Sequence, residues 1–155
     1  MTKKVLFLCT GNYYRSRFAE MLFNARASQA GLDWNADSRG LKLGISNVGP
    51  VYPRVLDQLK TLGFPAESEP RFPIRLEVAD LEAADLVIAL NESEHRPLLS
   101  LQFEHWADRT QYWEVPDLRE MKSEDAFSQI EKRTTSLVQR LLNDRDLSKP
   151  DLAAS

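Results

Sequence analysis

Residues 5–16 read Val5-Leu6-Phe7-Leu8-Cys9-Thr10-Gly11-Asn12-Tyr13-Tyr14-Arg15-Ser16. The apolar run that begins this stretch is typical of a parallel strand buried on both faces. After the stretch, apolar residues recur at helical spacing up to a glycine that can end a helix: Phe18, Met21, Leu22, Ala25 and Gly31. This part of the chain therefore predicts a strand, a short loop that begins at Cys9, and a helix.

The rest of the chain continues this alternation of strands and helices. It predicts strands at Ala36–Leu43, Leu86–Leu90 and Gln111–Val115, and helices from about Pro53 to Gly63, at Leu76–Ala84, at Ser93–Phe103 and from Glu124 to Leu142. Such alternation indicates an α/β fold with α/β/α layers around a small parallel sheet of about four strands. We expect one domain over residues 1–145, and we expect residues 146–155 to form a flexible polar tail.

The composition narrows the possible functions. The chain of 155 residues carries a net charge of −3 and has a pI near 5.5, which argues against nucleic-acid binding. Its single cysteine excludes an intramolecular disulfide framework and a multi-cysteine zinc site, and it favours a reducing compartment. No segment approaches the roughly 20 apolar residues of a membrane helix. We therefore expect a cytoplasmic monomer or weak dimer, without a metal or another cofactor, that binds neither nucleic acid nor a membrane.

The residues from Cys9 to Ser16 have the properties of a phosphate-binding loop. A thiol at the carboxyl end of a parallel strand lies where ligands bind in such sheets, and a following helix N-terminus favours the thiolate. Gly11 and Asn12 tolerate positive φ, so the N–H groups of the loop can turn inward around an anion. Arg15 can add a bidentate contact to phosphate, and the Ser16 hydroxyl can donate to the Cys9 sulfur.

These residues resemble the phosphate loop of the low-molecular-weight protein tyrosine phosphatases. The likeness extends to Ser38, to Pro116-Asp117 after the last predicted strand, and to residues 84–93. The resemblance implies that Cys9 attacks phosphorus and forms a phosphocysteine, and that Asp117 serves as general acid and base. It also implies a metal-independent phosphatase that acts on a phosphotyrosine protein or a small aryl phosphate. The implied phosphate-binding residues are Thr10, Gly11, Asn12, Tyr13, Tyr14, Arg15 and Ser16.

The chain departs from that family at several positions near the expected site. Tyr14 replaces a common second cysteine, so no disulfide within the loop can protect Cys9, and we expect the Tyr14 ring to pack in the core. Arg17 replaces a usual proline, and it either adds positive charge near the site or points to solvent. The further replacements, which all bear on substrate choice, are Tyr13, Asn91, Leu118 and Arg119.

The sequence leaves other interpretations open. The loop could bind phospho-ligands without turnover, and arsenate reduction shares this loop but needs further cysteines or an external thiol. Phosphoarginine hydrolysis is another alternative, which the bulky Tyr13 disfavours. Outside the loop, we expect His95 and His105 on the surface, and we expect Leu43 and Ile45 either to border the substrate or simply to be exposed.

Overall fold

The computed structural model describes residues 2–65, 67–118 and 120–148 of the chain. Strands and helices alternate along these ranges. The strands are β1 (Lys3–Cys9), β2 (Trp34–Gly40), β3 (Leu86–Ala89) and β4 (Gln111–Tyr112). The helices are α1 (Arg15–Ala30), α2 (Pro53–Thr61), α3 (Val78–Ala83), α4 (Glu92–Gln102) and α5 (Ser123–Ser148), with a 3₁₀ helix over Glu104–Arg109 before β4.

The strands form one parallel sheet in the order β2-β1-β3-β4. β1 lies inside the sheet and pairs with both β2 and β3, and its residues from Val5 to Cys9 are all buried. An interior parallel strand is covered by helices on both faces, which explains its continuous apolar run. The parallel sheet confirms the predicted α/β fold class.

Helices cover both faces of the sheet. On one face, Val5 and Phe7 pack in a cluster with residues of α1, α2 and α5, among them Phe18, Val55 and Phe127. On the other face, a second cluster joins alternate residues of β1 with α3 and α4: Leu6, Leu8, Leu81 and Leu99. Complete burial of a side chain such as Phe18 contributes about 1.5–3 kcal/mol to folding. Successive β1 side chains thus supply two separate cores, because they point to opposite faces.

Several predicted boundaries differ from the structure. β2 begins at Trp34 rather than Ala36 and ends at Gly40. β4 is limited to Gln111–Tyr112, although the Val115 N–H still donates to the Leu90 carbonyl. The last helix extends to Ser148, so residues 146–148 of the expected tail are helical. The rest of that expected tail, residues 149–155, lies outside the described residues.

The topology brings separate parts of the chain to one edge of the sheet. Because the strands are parallel, their carboxyl ends meet at this edge. Cys9 ends β1 and Gly40 ends β2, while Asn91 and Asp117 follow β3 and β4. The N-termini of α1 and α4 begin at the same edge. Residues 9–16, which we call the Cys9 loop, therefore lie among segments drawn from most of the chain.

Candidate active site

A cleft of about 570 Å³ opens at the carboxyl edge of the sheet. The Cys9 loop forms its floor, and the loop between β2 and α2 and the segment after β4 form its sides. The lining residues are Cys9, Thr10, Gly11, Tyr13, Tyr14, Arg15, Lys42, Gly44, Ser46, Asn47, Val48, Tyr52, Asp117 and Leu118. Cys9 itself is only 3% exposed, so its thiol is sheltered at the bottom of the cleft.

A chain of hydrogen bonds supports the Cys9 thiol from below. The Ser16 Oγ lies 2.8 Å from the Cys9 Sγ and accepts a bond of 2.9 Å from the Asn12 Nδ2. The same Asn12 amide donates to the Ser38 Oγ, and the Ser38 hydroxyl donates to Glu20. Because the Ser16 oxygen already accepts from Asn12, its own proton is free to point at the sulfur. The Ser16 hydroxyl can therefore donate a hydrogen bond to the Cys9 sulfur.

Asn12 holds the loop in its curved shape. Its φ of 51° lies in the left-handed region, which asparagine tolerates better than most residues. The Asn12 Oδ1 accepts bonds of 3.0 Å from the Arg71 Nη1 and from the backbone N–H of Ile74. Among the described residues, none of the backbone N–H groups from Gly11 to Arg15 donates to another protein group. These N–H groups can therefore bind the oxygens of an anion in the cleft.

Gly40 lets β2 approach the Cys9 loop closely. A Cβ at this position would lie 2.9 Å from the Thr10 carbonyl oxygen and 3.0 Å from the Asn12 Cβ. The Lys42 N–H also donates to the Thr10 carbonyl at 2.8 Å. The absence of a side chain at Gly40 thus permits the close contact between the end of β2 and the loop.

The Glu94 carboxylate, on α4, binds the guanidinium of Arg15. The Arg15 Nη2 donates to the Glu94 Oε2 at 2.6 Å, and the Arg15 Nη1 donates to the Glu94 Oε1 at 3.1 Å. The Nη1 also donates to the Val115 carbonyl at 2.9 Å. These bonds occupy the end of the guanidinium and one of its sides, so the side formed by Nε and Nη2 is the one left to face a ligand. Glu94 and Val115 thereby orient Arg15.

Thr10 and His95 also bind the Glu94 carboxylate. The Thr10 hydroxyl donates to the Glu94 Oε2, and the His95 Nε2 lies 3.1 Å from the same oxygen. The His95 Nδ1 accepts from the Asn91 backbone N–H at 3.0 Å, so in the neutral ring the proton is on Nε2 and points to Glu94. Burial by itself would raise the pKa of Glu94, but the hydrogen bonds from His95, Arg15 and Thr10 hold that pKa well below its usual range. Burial lowers the pKa of His95, although Glu94 acts in the opposite direction.

Asp117 and a group of tyrosines form the upper part of the cleft. The Asp117 carboxylate accepts a bond of 2.8 Å from the Leu118 N–H, and both residues line the cleft. The Tyr14 and Tyr52 rings pack edge to face, with their centroids 5.2 Å apart, and the Tyr14 ring also packs against Phe127. Tyr14 is buried as expected, and burial raises the pKa of its phenol. The Tyr13 hydroxyl donates to the Val48 carbonyl at 2.6 Å and so joins the Cys9 loop to the rim of the cleft.

The structure decides between the two interpretations of Arg17 and corrects the expectation for His95. Arg17 does not point to solvent, because its side chain is buried and its Nη1 donates to the Pro50 carbonyl at 3.0 Å. His95 is not a surface residue but is completely buried beside Glu94, whereas His105 is exposed as expected. Leu43 and Ile45 are exposed, and the loop that carries them lines the cleft through other residues. Arg119 lies outside the described residues.

Four functional side chains were missing from the sequence prediction: Glu20, Arg71, Glu94 and His95. Glu94 and His95 lie near the start of α4, shortly after β3 ends at Ala89, so the rule that ligands bind at the carboxyl ends of parallel strands could have indicated them. Arg71 comes from an irregular segment between α2 and α3, where no periodicity signals a partner. Its bonds to Asn12, Glu20 and Ser38 depend on the tertiary fold.

The described ranges contain neither a metal-binding cluster nor a membrane-spanning helix. Within them, no group of three or more His, Cys, Asp or Glu side chains is arranged to hold a metal ion. No helix in these ranges is long and apolar enough to cross a membrane.

Comparison with known proteins gives matches over most of the chain. Residues 4–149 match the family described as low molecular weight phosphotyrosine protein phosphatase. The chain is similar to the protein-arginine-phosphatase of Bacillus subtilis (strain 168), with 33% identity over 107 residues, or 68% of this chain and just under two thirds (66%) of that protein. Its fold is similar to that of a low molecular weight protein tyrosine phosphatase from T. tengcongensis, with 29% identity, a TM-score of 0.72, and coverage of 92% of this chain and 99% of that one. A low molecular weight protein tyrosine phosphatase from Streptococcus pyogenes shares the fold at 22% identity, with a TM-score of 0.75 and coverage of 90% of this chain and 93% of that one.

Proposed function

Since the chain belongs to the low molecular weight phosphotyrosine protein phosphatase family and is thus a cysteine-dependent phosphatase, we propose that it removes phosphate from phosphotyrosine in proteins. The observation that carries the proposal is the sheltered Cys9 thiol at the bottom of a cleft that Arg15, Asp117 and tyrosine rings also line. In this proposal Cys9 is the nucleophile, Arg15 binds the phosphoryl group, and Asp117 is the general acid and base.

In the first step, the Cys9 thiolate forms a bond to phosphorus while the bond from phosphorus to the phenolic oxygen breaks. Asp117 gives its proton to that departing oxygen, which avoids the release of a phenolate. The free N–H groups of the Cys9 loop and the Nε side of Arg15 bind the non-bridging phosphoryl oxygens. The products of this step are a tyrosine side chain and a phosphocysteine.

In the second step, a water molecule attacks phosphorus and the sulfur–phosphorus bond breaks. Asp117, now ionised, takes the proton of the attacking water, and inorganic phosphate leaves the cleft. The restored Cys9 thiolate accepts a hydrogen bond from the Ser16 hydroxyl, whose oxygen lies 2.8 Å from the sulfur. The hydrogen bonds from Asn12 to Ser16 and to Ser38 keep this hydroxyl in place.

The charge and shape of the cleft support an aromatic leaving group. Tyr13 and Tyr52 stand side by side along the cleft, with ring centroids 6.1 Å apart, and offer an aromatic wall to a phenyl ring. Asp117 is the sole carboxylate among the described residues that line the cleft, whereas Arg15 and Lys42 are cationic. A positively charged guanidinium substrate would be repelled by these two cations and would find only one carboxylate to pair with. A neutral phenyl ring would not be repelled.

A substrate panel tests the proposal. One peptide carrying phosphotyrosine, phosphoarginine or phosphoserine at the same position would be assayed with the wild type and with Cys9→Ser, in the presence of a chelator. We expect the highest kcat/KM for phosphotyrosine and no turnover by Cys9→Ser. Turnover that survives the Cys9→Ser substitution would refute the role of Cys9, and binding without turnover by the wild type would instead favour a phospho-ligand binding module.

Phosphoarginine is the second candidate substrate. The observation in its favour is the 33% identity to a protein named as a protein-arginine-phosphatase. Tyr13→Thr distinguishes the two, because this change removes the ring and its bond to the Val48 carbonyl. We expect the variant to lose about tenfold in kcat/KM for phosphotyrosine relative to phosphoarginine, the value of roughly one aromatic contact. A wild-type preference for phosphoarginine would overturn the choice of substrate and leave the cysteine chemistry intact.

A further inference from the structure

A second cleft lies between β4 and α5, separate from the Cys9 loop. Its volume is about 670 Å³, and it shares no lining residue with the cleft at Cys9. We call it the basic groove. Its principal lining residues are Gln111, Trp113, Lys132, Arg133, Ser136 and Arg140.

The basic groove is positively charged although the whole chain has a net charge of −3. Lys132, Arg133 and Arg140 are all exposed, and none of them forms an ion pair with a residue that the structure describes. Glu114 is the one carboxylate among the described residues that line the groove. Arg133 and Arg140 are seven residues apart and lie on the same face of α5, and Lys132 lines the groove beside them. The groove therefore offers unpaired positive charge to an anionic ligand.

The other wall of the groove is the edge of the sheet. β4 pairs with β3 alone, and in the described residues no strand lies on its other side. An unpaired strand edge presents N–H and C=O groups that can pair with an extended segment of another chain. The groove thus combines two recognition elements, a strand edge for a peptide backbone and a row of cations for acidic side chains.

We propose that the basic groove binds an acidic segment of a partner protein in an extended conformation, as an added strand beside β4. Lys132 and Arg140 are eight residues apart, which corresponds to about 12 Å along α5. An extended chain covers this distance in roughly four residues, and its alternate side chains face the same way. The fitting segment therefore carries carboxylates at alternate positions over about five residues.

Fluorescence anisotropy with a labelled synthetic peptide tests the proposal on the full chain. The probe is an unphosphorylated peptide of about seven residues in which glutamate and valine alternate. We expect Lys132→Glu with Arg140→Glu to weaken binding by about tenfold, since each exposed ion pair contributes roughly threefold. Glu114→Gln should strengthen binding, because it removes the opposing charge from the groove. Lys60→Glu, an exposed lysine of α2 outside the groove, is the matched control and should bind as the wild type does.

Two further probes define the mode of binding. A peptide of alternating lysine and valine should not bind. Methylation of the peptide nitrogens at every second position should abolish binding in one register and leave it unchanged in the other, because only one edge of a strand pairs with β4. The proposal is overturned if the acidic peptide does not bind at low ionic strength, if Lys60→Glu weakens binding as much as the groove variants, or if both methylated peptides bind equally. Because the probe carries no phosphate, the result is independent of the substrate proposed for Cys9.

Discussion

Glu94→Gln isolates the contribution of a carboxylate that touches Arg15 without lining the cleft. The substitution keeps the shape of the side chain but removes its charge, and it places an amide N–H where a carboxylate oxygen accepted a bond. The Glu94 Oε2 accepts from Arg15, Thr10 and His95, so an amide in its place leaves some of these donors without an acceptor. Arg15 would then lose the partner that fixes the end of its guanidinium.

The size of the effect follows from the burial of the pair. A hydrogen bond to a charged group contributes about 1.5–3 kcal/mol. The Arg15 side chain is 3% exposed but that of Glu94 is 30% exposed, so solvent screening reduces this value to about 1–2 kcal/mol. If the loss falls on transition-state binding by Arg15, kcat/KM drops by about 5- to 30-fold. The Kd for inorganic phosphate should rise in the same variant.

The assay is steady-state hydrolysis of an aryl phosphate, with phosphate affinity and urea unfolding measured in parallel. Glu92→Gln is the matched control, since Glu92 lies on the same helix and pairs with the partly exposed Arg96. Because the pKa of Glu94 is held below its usual range, the contribution of the carboxylate is complete above the unfolded value of about 4.3 and falls only as the pH approaches the lower folded value. The deficit of Glu94→Gln should therefore be constant between about pH 5 and pH 8. A variant with unchanged kcat/KM and unchanged phosphate affinity would refute the orienting role of Glu94.

Three further predictions concern other parts of the site. Burial keeps the pKa of His95 below its ordinary value of about 6.5, so near that pH the unfolded chain binds a proton that the folded chain does not. The stability of the protein should therefore fall as the pH drops below about 6.5. Thermal unfolding of the wild type and His95→Gln at several pH values checks this, and equal slopes of stability against pH for the two proteins would contradict it. Asp117→Asn should lower kcat by about 10²- to 10⁴-fold while phosphate affinity, measured by titration, stays as in the wild type; a comparable loss of affinity would argue against a role in proton transfer. Gly40→Ala should destabilise the protein by about 1–3 kcal/mol in urea unfolding and should also reduce kcat/KM, because the added Cβ would lie 2.9 Å from the Thr10 carbonyl oxygen. A variant with the stability and the kcat/KM of the wild type would show that the end of β2 can move freely.

The central part of the fold could be predicted because its signals are local. The apolar run of β1, the polar Cys9 loop and the helical spacing after it lie in one continuous stretch, and the structure has a strand, a loop and a helix there. The apolar runs of β1 and β3 also reflect their interior positions in the sheet. β4 was harder to delimit because it lies at the edge, where only two residues pair as a regular strand and the following residues make isolated bonds to the end of β3.

The supporting shell of the site could not be predicted because it depends on contacts distant in sequence. A histidine in a polar stretch gives no sign that it will be buried, yet His95 is enclosed because it satisfies both Glu94 and the start of α4. Arg17 gave a similarly weak signal, since its burial depends on the Pro50 carbonyl 33 residues later. Local patterns thus indicated the chemistry of the loop, whereas tertiary packing determined which side chains hold it.

The long sequence separations around the Cys9 loop have a consequence for protein synthesis. Arg15 is held by Glu94, 79 residues later, and by the Val115 carbonyl, 100 residues later. A nascent chain that has left the ribosome only as far as α4 already contains Cys9 and Arg15 but lacks the segment that carries Val115 and Asp117. Such a chain contains the proposed nucleophile and Glu94, but it lacks the Val115 carbonyl that also holds Arg15 and the proposed general acid Asp117. The proposed phosphatase activity therefore requires the segment that carries Val115 and Asp117 to be synthesised and folded onto the sheet.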